Sequence, residues 1–403
     1  MQTTSRQLQK VLGILITIAL LAALFQWRAS QNLKTQKIHT VNFFVFWLAG
    51  NLILEGENPY NPDQWENGHA LYGVTPREPT FLYPLPLAVL LTPLGLLSTS
   101  QAYVLWQWLS QLALGLVIYL LLKRWGLPSH DRLFVPVVFF LTFFGPIYLT
   151  LQIGTLGALT LSFIYGALYL LDKDRLFPAG ILLSLTMLKP SQGATILLLL
   201  SWVFLLRKQW KVFYGLAAGG LLLLLLGIIV DPNWVAIFRQ SSAAAFDRRL
   251  GVQPNVWSLA FVACGGISAC YSLLGIATTL IFLGITAYFL WRKQSALSNW
   301  QVLNLVLPIA FITSPYLWAY DQILYVLPII WIVGTLVEKS RSYISAIVFL
   351  ILLGLISFYA LIQQALTSKD LWGLGTSLFV IIFLFITQSM KQKPAIDKAP
   401  APV

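Results

Sequence analysis

Charged side chains are scarce in this sequence. Asp, Glu, Lys and Arg make up 10% of its 403 residues, while 58% are hydrophobic; a soluble domain carries about 25% charged residues. The shortage excludes an ordinary soluble domain, and a mean hydropathy of +0.77 predicts an all-α polytopic membrane protein. Long polar stretches are missing too. Apolar runs recur from residue 11 to residue 389, so no separate soluble domain fits. Cysteine is nearly absent: Cys264 and Cys270 stand in apolar surroundings without a CxxC pair or a His cluster. That context argues against a structural metal, leaves the redox compartment open, and reads as two small core residues. The sequence holds no GxxxxGK[ST], GxSxG or HExxH, which leaves nucleotide hydrolysis, serine hydrolysis and zincin chemistry without support. Fixed-period repeats are absent as well.

What is there is a regular alternation of apolar segments and short polar breaks. The breaks "KRWGLPSHDR", "DKDR", "RKQWK", "WRK", "EKSR" and "KQKP" all fall on one side if that side is the cytoplasm, as the excess of Lys and Arg in cytoplasmic loops favours. Both termini are then cytoplasmic. That side carries 17 Lys/Arg against 5 Asp/Glu, and the other carries 9 against 9. The net charge of +12 is therefore a property of topology, and its spread over loop ends argues against nucleic acid as a partner. Thirteen apolar segments are countable, beginning with an uncleaved span at 11–26, and two cytoplasmic termini require an even number of crossings. The segment at 82–97, with Pro84, Pro86 and Pro93, is assigned as the one that does not fully cross; the alternative is 177–189. The expected architecture is one domain over 1–390 with about 12 transmembrane helices. Two extracytoplasmic loops, 28–81 and 231–262, interrupt it, the first with an interfacial helix over "NFFVFWLAGNLIL". A disordered cytoplasmic tail follows at 391–403.

The chemistry-bearing residues gather on the face away from the cytoplasm. Asp321 lies about one turn inside an apolar helix, where an acid is costly and needs a partner or a job; its alternative role is a solvated helix-start acid. Lys189, just before Pro190, stands alone as a cation among the short outer returns from 150 to 192. It either meets a phosphate or snorkels to the interface. Arg248 and Arg249 offer a fork suited to phosphate oxygens, with Asp247 as a candidate clamp, or form a solvated loop pair. Asn255 and Ser258 are candidates to bind substrate, with capping of the next helix the competing role for at least one of them. Tyr60, Trp65, Tyr72, Phe81, Tyr83, Trp257, Trp318 and Tyr320 provide aromatic surface for a sugar ring or prenyl tail, or a plain interfacial belt. His69 is a candidate proton carrier.

The order of "VNFFVFWLAG", "EGENPY", "FLYPLPLAVLLTPLGLL", "LQIGTLGALTL", "GILLSLTMLKPSQG", "PNVWSLA" and "SPYLWAYDQILYVLP", through about residues 40 to 330, resembles glycosyltransferase family 87. The resemblance implies a GT-C bundle, a polyprenyl-phosphate sugar donor, no metal or other cofactor, and transfer on the extracytoplasmic face of a bacterial inner membrane. The acceptor would be a lipid or glycan, and the sugar a hexose such as mannose. The family carries an aspartate, its presumed base, where this chain has Asn42, and Asn cannot accept a proton at neutral pH. Of the family's glycine-glutamine stretch, Gln152 and Gly154 are kept. "KPSQ" matches its lysine-proline turn at Lys189, and "SPYLWAYDQ" matches its late motif at Asp321.

The reaction these residues suit is direct, inverting displacement. Asp321 is the first candidate for base, ahead of Glu78, Glu57 and Asp63, while Asn42 hydrogen-bonds sugar or acceptor. A lipid-linked saccharide flippase is the alternative from another class, although no inverted halves are visible. A relative that binds without transferring, because Asn42 replaces the acid, is the third.

Overall fold

In the computed structural model, residues 23, 26, 30–35, 37–126, 131–340 and 343–390 are described. Most of the expected first span at 11–26 and all of the tail at 391–403 lie outside the described residues. The described chain is helical throughout. A 3-10 turn at Lys37–Thr40 leads into α1 (Asn42–Leu54), α2 (Pro62–Ala70), α3 (Leu85–Gly95) and α4 (Thr99–Arg124). Then come α5 (Asp131–Phe143), α6 (Gly145–Ile153), α7 (Gly157–Asp172), α8 (Leu176–Ser184), α9 (Pro190–Leu206), α10 (Trp210–Ile228) and α11 (Trp234–Arg249). The last set is α12 (Val256–Ala263), α13 (Ser268–Lys293), α14 (Asn299–Thr313), α15 (Val326–Ser340), α16 (Tyr343–Thr367) and α17 (Leu374–Ser389).

Six helices among the described residues are long and apolar enough to cross a membrane, and α5 with α6, bent by 51° at Phe144, makes a seventh. The sequence reading took 133–150 as one straight span; Pro146, at the start of α6, marks where the ladder breaks. The segment at 82–97 forms an 11-residue helix with prolines at its start and Pro93 inside. At 1.5 Å per residue it reaches only about 16 Å. The runner-up, 177–189, is also short, α8 giving way to a 3-10 turn at Leu185–Leu188.

Two signals in the sequence set helix starts. Ser98 and Ser298 each accept from the backbone N–H of a Gln three residues on, whose side chain returns the bond. These capping boxes open α4 and α14. Close packing is set by glycine: a Cβ at Gly180 or Gly215 would strike the backbone of the facing helix, so α8 and α10 lie backbone to backbone.

Two findings depart from the sequence reading. Helix α1 is not a surface helix with one wet face. Phe43, Phe44, Phe46, Trp47, Leu48, Ala49, Gly50 and Leu52 are all buried, and it packs most extensively against α3. Cys264 and Cys270 are not independent core residues but a disulfide joining the end of α12 to the start of α13. Such bridges persist in oxidising compartments.

The span Ala319–Lys339, formed by a 3-10 stretch (Ala319–Tyr325) and α15, is the centre of the bundle. It is 83% buried inside the protein, against 11% for the span Ser268–Lys293. Asp321 rides on that central element.

Candidate active site

The segment from 314 to 325 is held from three sides before its acid does anything. Ser314 Oγ donates to the Ser191 carbonyl at 2.7 Å, at the start of α9. Thr150 Oγ1 donates to the Tyr320 carbonyl at 2.9 Å, from α6. Gln322 Nε2 donates to the Gly373 carbonyl at 2.8 Å, and Tyr325 shares a 2.6 Å hydroxyl bond with Ser377 of α17. These anchors fix the turn on which Asp321 sits.

Asp321 is fully buried and its carboxylate is well supplied with donors. Lys189 Nζ and Gln192 Nε2 (2.8 Å) both donate to Oδ1, and the Trp318 backbone N–H donates to Oδ2 at 3.0 Å. Lys189 is the residue just before α9 and Gln192 the third residue of that helix, so its first turn brings both side chains to one carboxylate. Both are buried. The lysine also lies over the Tyr320 ring, 4.8 Å from its centroid, a cation–π contact. A buried ion pair with extra hydrogen bonds is the arrangement in which two charges survive without water. The other end of the Gln192 amide, Oε1, is buried with no protein partner, so the site holds an unused acceptor.

Around this pair stands a half-buried aromatic rim. The Tyr320 phenol is hydrogen-bonded to the Asn42 side chain, which brings the first residue of α1 to the site. Tyr83 and Tyr316 both lie within electrostatic reach of Asp321. Burial pushes the Tyr83 phenol up, as do Tyr316 and Asp321. Burial also pushes up Tyr316, assisted by Glu78 and Asp321 and opposed by its bond to Trp318 and by Arg249. Both phenols therefore stay neutral and can only exchange hydrogen bonds. Trp318 stacks near Tyr320 at 6.4 Å, and its outer side meets the Arg249 guanidinium at 5.8 Å.

Arg248 and Arg249 complete the site's edge. Both donate to Glu78, Arg248 to Oε2 and Arg249 to Oε1 at 3.1 Å, so the clamp for this pair is Glu78, with Asp247 left exposed. Asp321, Lys189, Asn42, Tyr320, Tyr83, Trp318, Arg248, Arg249 and Glu78 thus form one connected cluster from five separate parts of the chain.

The remaining candidates stand behind it. Tyr60 donates to the Tyr83 carbonyl at 2.6 Å and anchors that residue's backbone. Asn255 accepts from the Ser258 backbone at 2.8 Å, capping α12, and donates to the Pro315 carbonyl at 3.3 Å. Ser258 Oγ accepts from the Gln253 backbone N–H. The Gln152 carbonyl accepts from Asn32 at 3.3 Å, a contact away from the cluster. His69 is a core residue: Nδ1 sits 2.8 Å from the Trp65 carbonyl and the ring packs on Trp65 and Phe44. Burial lowers its pKa, against the pull of that carbonyl.

Three site residues went unnamed in the sequence reading: Gln192, Tyr316 and Asp370. Asp370 is buried between α16 and α17, its Oδ2 accepting from the Ala319 N–H at 3.0 Å and its own N–H donating to Val252 at 2.7 Å. Burial pushes its carboxyl up to about 6, with Asp321 adding to the rise and the Ala319 and Gln364 bonds opposing it. Gln192 had a signal, the i, i+3 spacing from Lys189. No cluster of three or more His, Cys, Asp or Glu able to hold a metal occurs among the described residues.

Compared with known proteins, residues 81–315 match the model of glycosyltransferase family 87. No curated protein and no solved structure matches. The matched stretch contains Tyr83, Lys189, Gln192, Arg248 and Arg249; Asn42 and Glu78 precede it, and Trp318 to Asp321 follow it.

Proposed function

This chain belongs to glycosyltransferase family 87, and from that premise we propose that it transfers a hexose, mannose-like, from a polyprenyl-phosphate donor to a lipid or glycan acceptor on the extracytoplasmic face of a bacterial inner membrane. It is a glycosyltransferase and an integral membrane protein; donor, acceptor, sidedness, a GT-C bundle of about 12 crossings and cytoplasmic termini are part of the proposal. The single observation that carries the reading is the buried Lys189–Asp321 pair at the foot of an aromatic rim. An acid, a cation that suits a phosphate, and ring faces that suit a sugar stand together there.

In the proposed step the acceptor hydroxyl attacks the anomeric carbon as the bond from that carbon to the phosphate oxygen breaks. Asp321 takes the hydroxyl proton, and polyprenyl phosphate departs with the bonding electrons. Direct displacement inverts the anomeric centre. Lys189 changes partner during this step, leaving Asp321 for the phosphate, so that one movement frees the base and stabilises the leaving group. Asn42 and Tyr320 hydrogen-bond the sugar or the acceptor, and Tyr83, Tyr316 and Trp318 face the ring. Glu78, the second candidate for base, sits at the rim between two guanidinium groups and is assigned no proton.

Asn42 supports a second reading, a relative that binds the donor without transferring its sugar. The test is incubation of the purified protein with radiolabelled polyprenyl-phosphate mannose or glucose and a membrane extract. Labelled product that disappears in Asp321→Asn supports transfer. Product absent from the native protein and gained by Asn42→Asp supports binding alone. Undiminished product from Asp321→Asn rejects the assigned base.

A further inference from the structure

The arginine fork is already occupied. Arg248 and Arg249, consecutive at the end of α11, each place a terminal guanidinium nitrogen on a different oxygen of Glu78. A carboxylate gripped at both oxygens by two guanidinium groups presents the geometry those groups offer to a phosphate. Glu78 comes from the loop before α3, more than 160 residues away in sequence, and the 28–81 segment that contains it is clasped to the 231–262 segment elsewhere too. Asn58 Nδ2 donates to Asp231 at 2.8 Å, and the Thr80 and Ser241 hydroxyls meet at 3.3 Å.

Two features show that Glu78 fits this fork incompletely. Arg249 Nε is buried with no partner, a charged donor left over after Glu78 is bound. The fork also has two positive charges against one negative. Its position ties it to the chemistry, because the Arg249 guanidinium lies over Trp318, three residues before Asp321. A phosphate brings more acceptor oxygens than a carboxylate, enough to reach the spare Nε–H.

We propose that Glu78 is an internal stand-in for the phosphate of a lipid-linked ligand: it holds Arg248 and Arg249 until the ligand arrives, and the incoming phosphate ester displaces it and frees the 74–81 loop. The inference rests on the polyprenyl-phosphate reading above and adds to it a self-bound resting state. No covalent bond changes; one anion replaces another on the same two cations. The ligand's apparent affinity is then reduced by the fraction of forks that Glu78 occupies.

The test is binding of three probes, polyprenyl phosphate, the matching polyprenol and inorganic phosphate, to the full-length protein in detergent. Native protein is compared with Glu78→Gln. The variant is expected to bind polyprenyl phosphate tighter by roughly threefold to tenfold, the range that half-exposed ion pairs govern, with polyprenol unchanged. Equal or weaker binding overturns the stand-in. The same gain for inorganic phosphate without binding of polyprenyl phosphate overturns the lipid source and assigns the fork to free phosphate. Should the variant fail to fold, hydrogen–deuterium exchange on native protein decides instead. Exchange over 74–81 rises on adding polyprenyl phosphate if Glu78 is released, and an unchanged or slower rate contradicts release. Transfer activity with unaltered Glu78→Gln affinity removes the stand-in and leaves the donor reading intact, whereas no binding of polyprenyl phosphate by either protein overturns both.

Discussion

At one end of the bundle, Arg207 donates to the carbonyls of Gln294 and Leu297 and to Asn299, and Lys339 donates to the Thr387 carbonyl at 2.8 Å. Arg124 there pairs with Asp172 and lies over Trp300. At the other end, Lys189 and Asp321 are buried against each other, and Arg248 and Arg249 share Glu78. The first set satisfies helix ends and loops, as cations do at helix C-termini. In the second set, Lys189 and Asp321 bind charge to charge where water cannot compensate a loss, and the Arg248 and Arg249 pairs with Glu78 lie half-exposed at its rim. Helix termini explain the cations at the first end. Nothing in the helices requires the ion pair at the second, which is why the chemistry is assigned there.

Breaking the second end has the largest expected effect. Asp321→Asn should lower transfer by about 10²–10⁴-fold, the range for a lost general base, in the labelled-donor assay; Arg207→Gln in the same assay should leave the rate unchanged. Next is stability. Lys189→Met strands a buried carboxylate and should cost about 3–5 kcal/mol, read as a loss of thermal or denaturant stability in detergent. Lys189→Met with Asp321→Leu should recover much of that loss; a double variant whose loss equals the sum of the Lys189→Met and Asp321→Leu losses would show that the two side chains are not coupled.

Asp370 gives a smaller, pH-dependent effect. Its folded pKa, about 6, is above the ordinary carboxyl value of 3.8, so the folded protein holds its proton more tightly than the unfolded chain. Its contribution to stability is complete below pH 4 and is lost as pH rises through about 6, up to about 3 kcal/mol. Asp370→Asn should flatten the stability profile between pH 4 and 7, and an unchanged slope would contradict the assignment. Arg207→Gln has the smallest expected effect, about 1 kcal/mol of stability, because the side chain is only half-buried and its carbonyl partners can turn to water.

The two ends were also unequally legible in the sequence. Positive loops at the first end declare themselves through composition alone. At the second, Asp321 was visible because a single acid interrupts an apolar run, and Lys189 because it stands alone among short returns. The chain order of motifs pointed to Asn42. Asp370 was not visible, since "TSKD" reads as any polar turn; its burial comes from a backbone bond to Val252, over a hundred residues distant. The Glu78 clamp was hidden for the same reason, because Asp247 is adjacent in sequence and Glu78 is adjacent in space. Cys264 and Cys270, six residues apart, carried no pairing signal. Helix α1 was read by length as interfacial, and only the packing of α3 over it shows it as core.

The most direct measurement is photocrosslinking of the native protein with a photoactivatable polyprenyl-phosphate hexose, followed by mapping of the labelled peptides. The account predicts label concentrated on residues 81–84, 189–192, 248–249 and 314–325. Label centred on the Arg207, Gln294 and Asn299 end, or scattered over the lipid-facing helices with none on those four stretches, would contradict it.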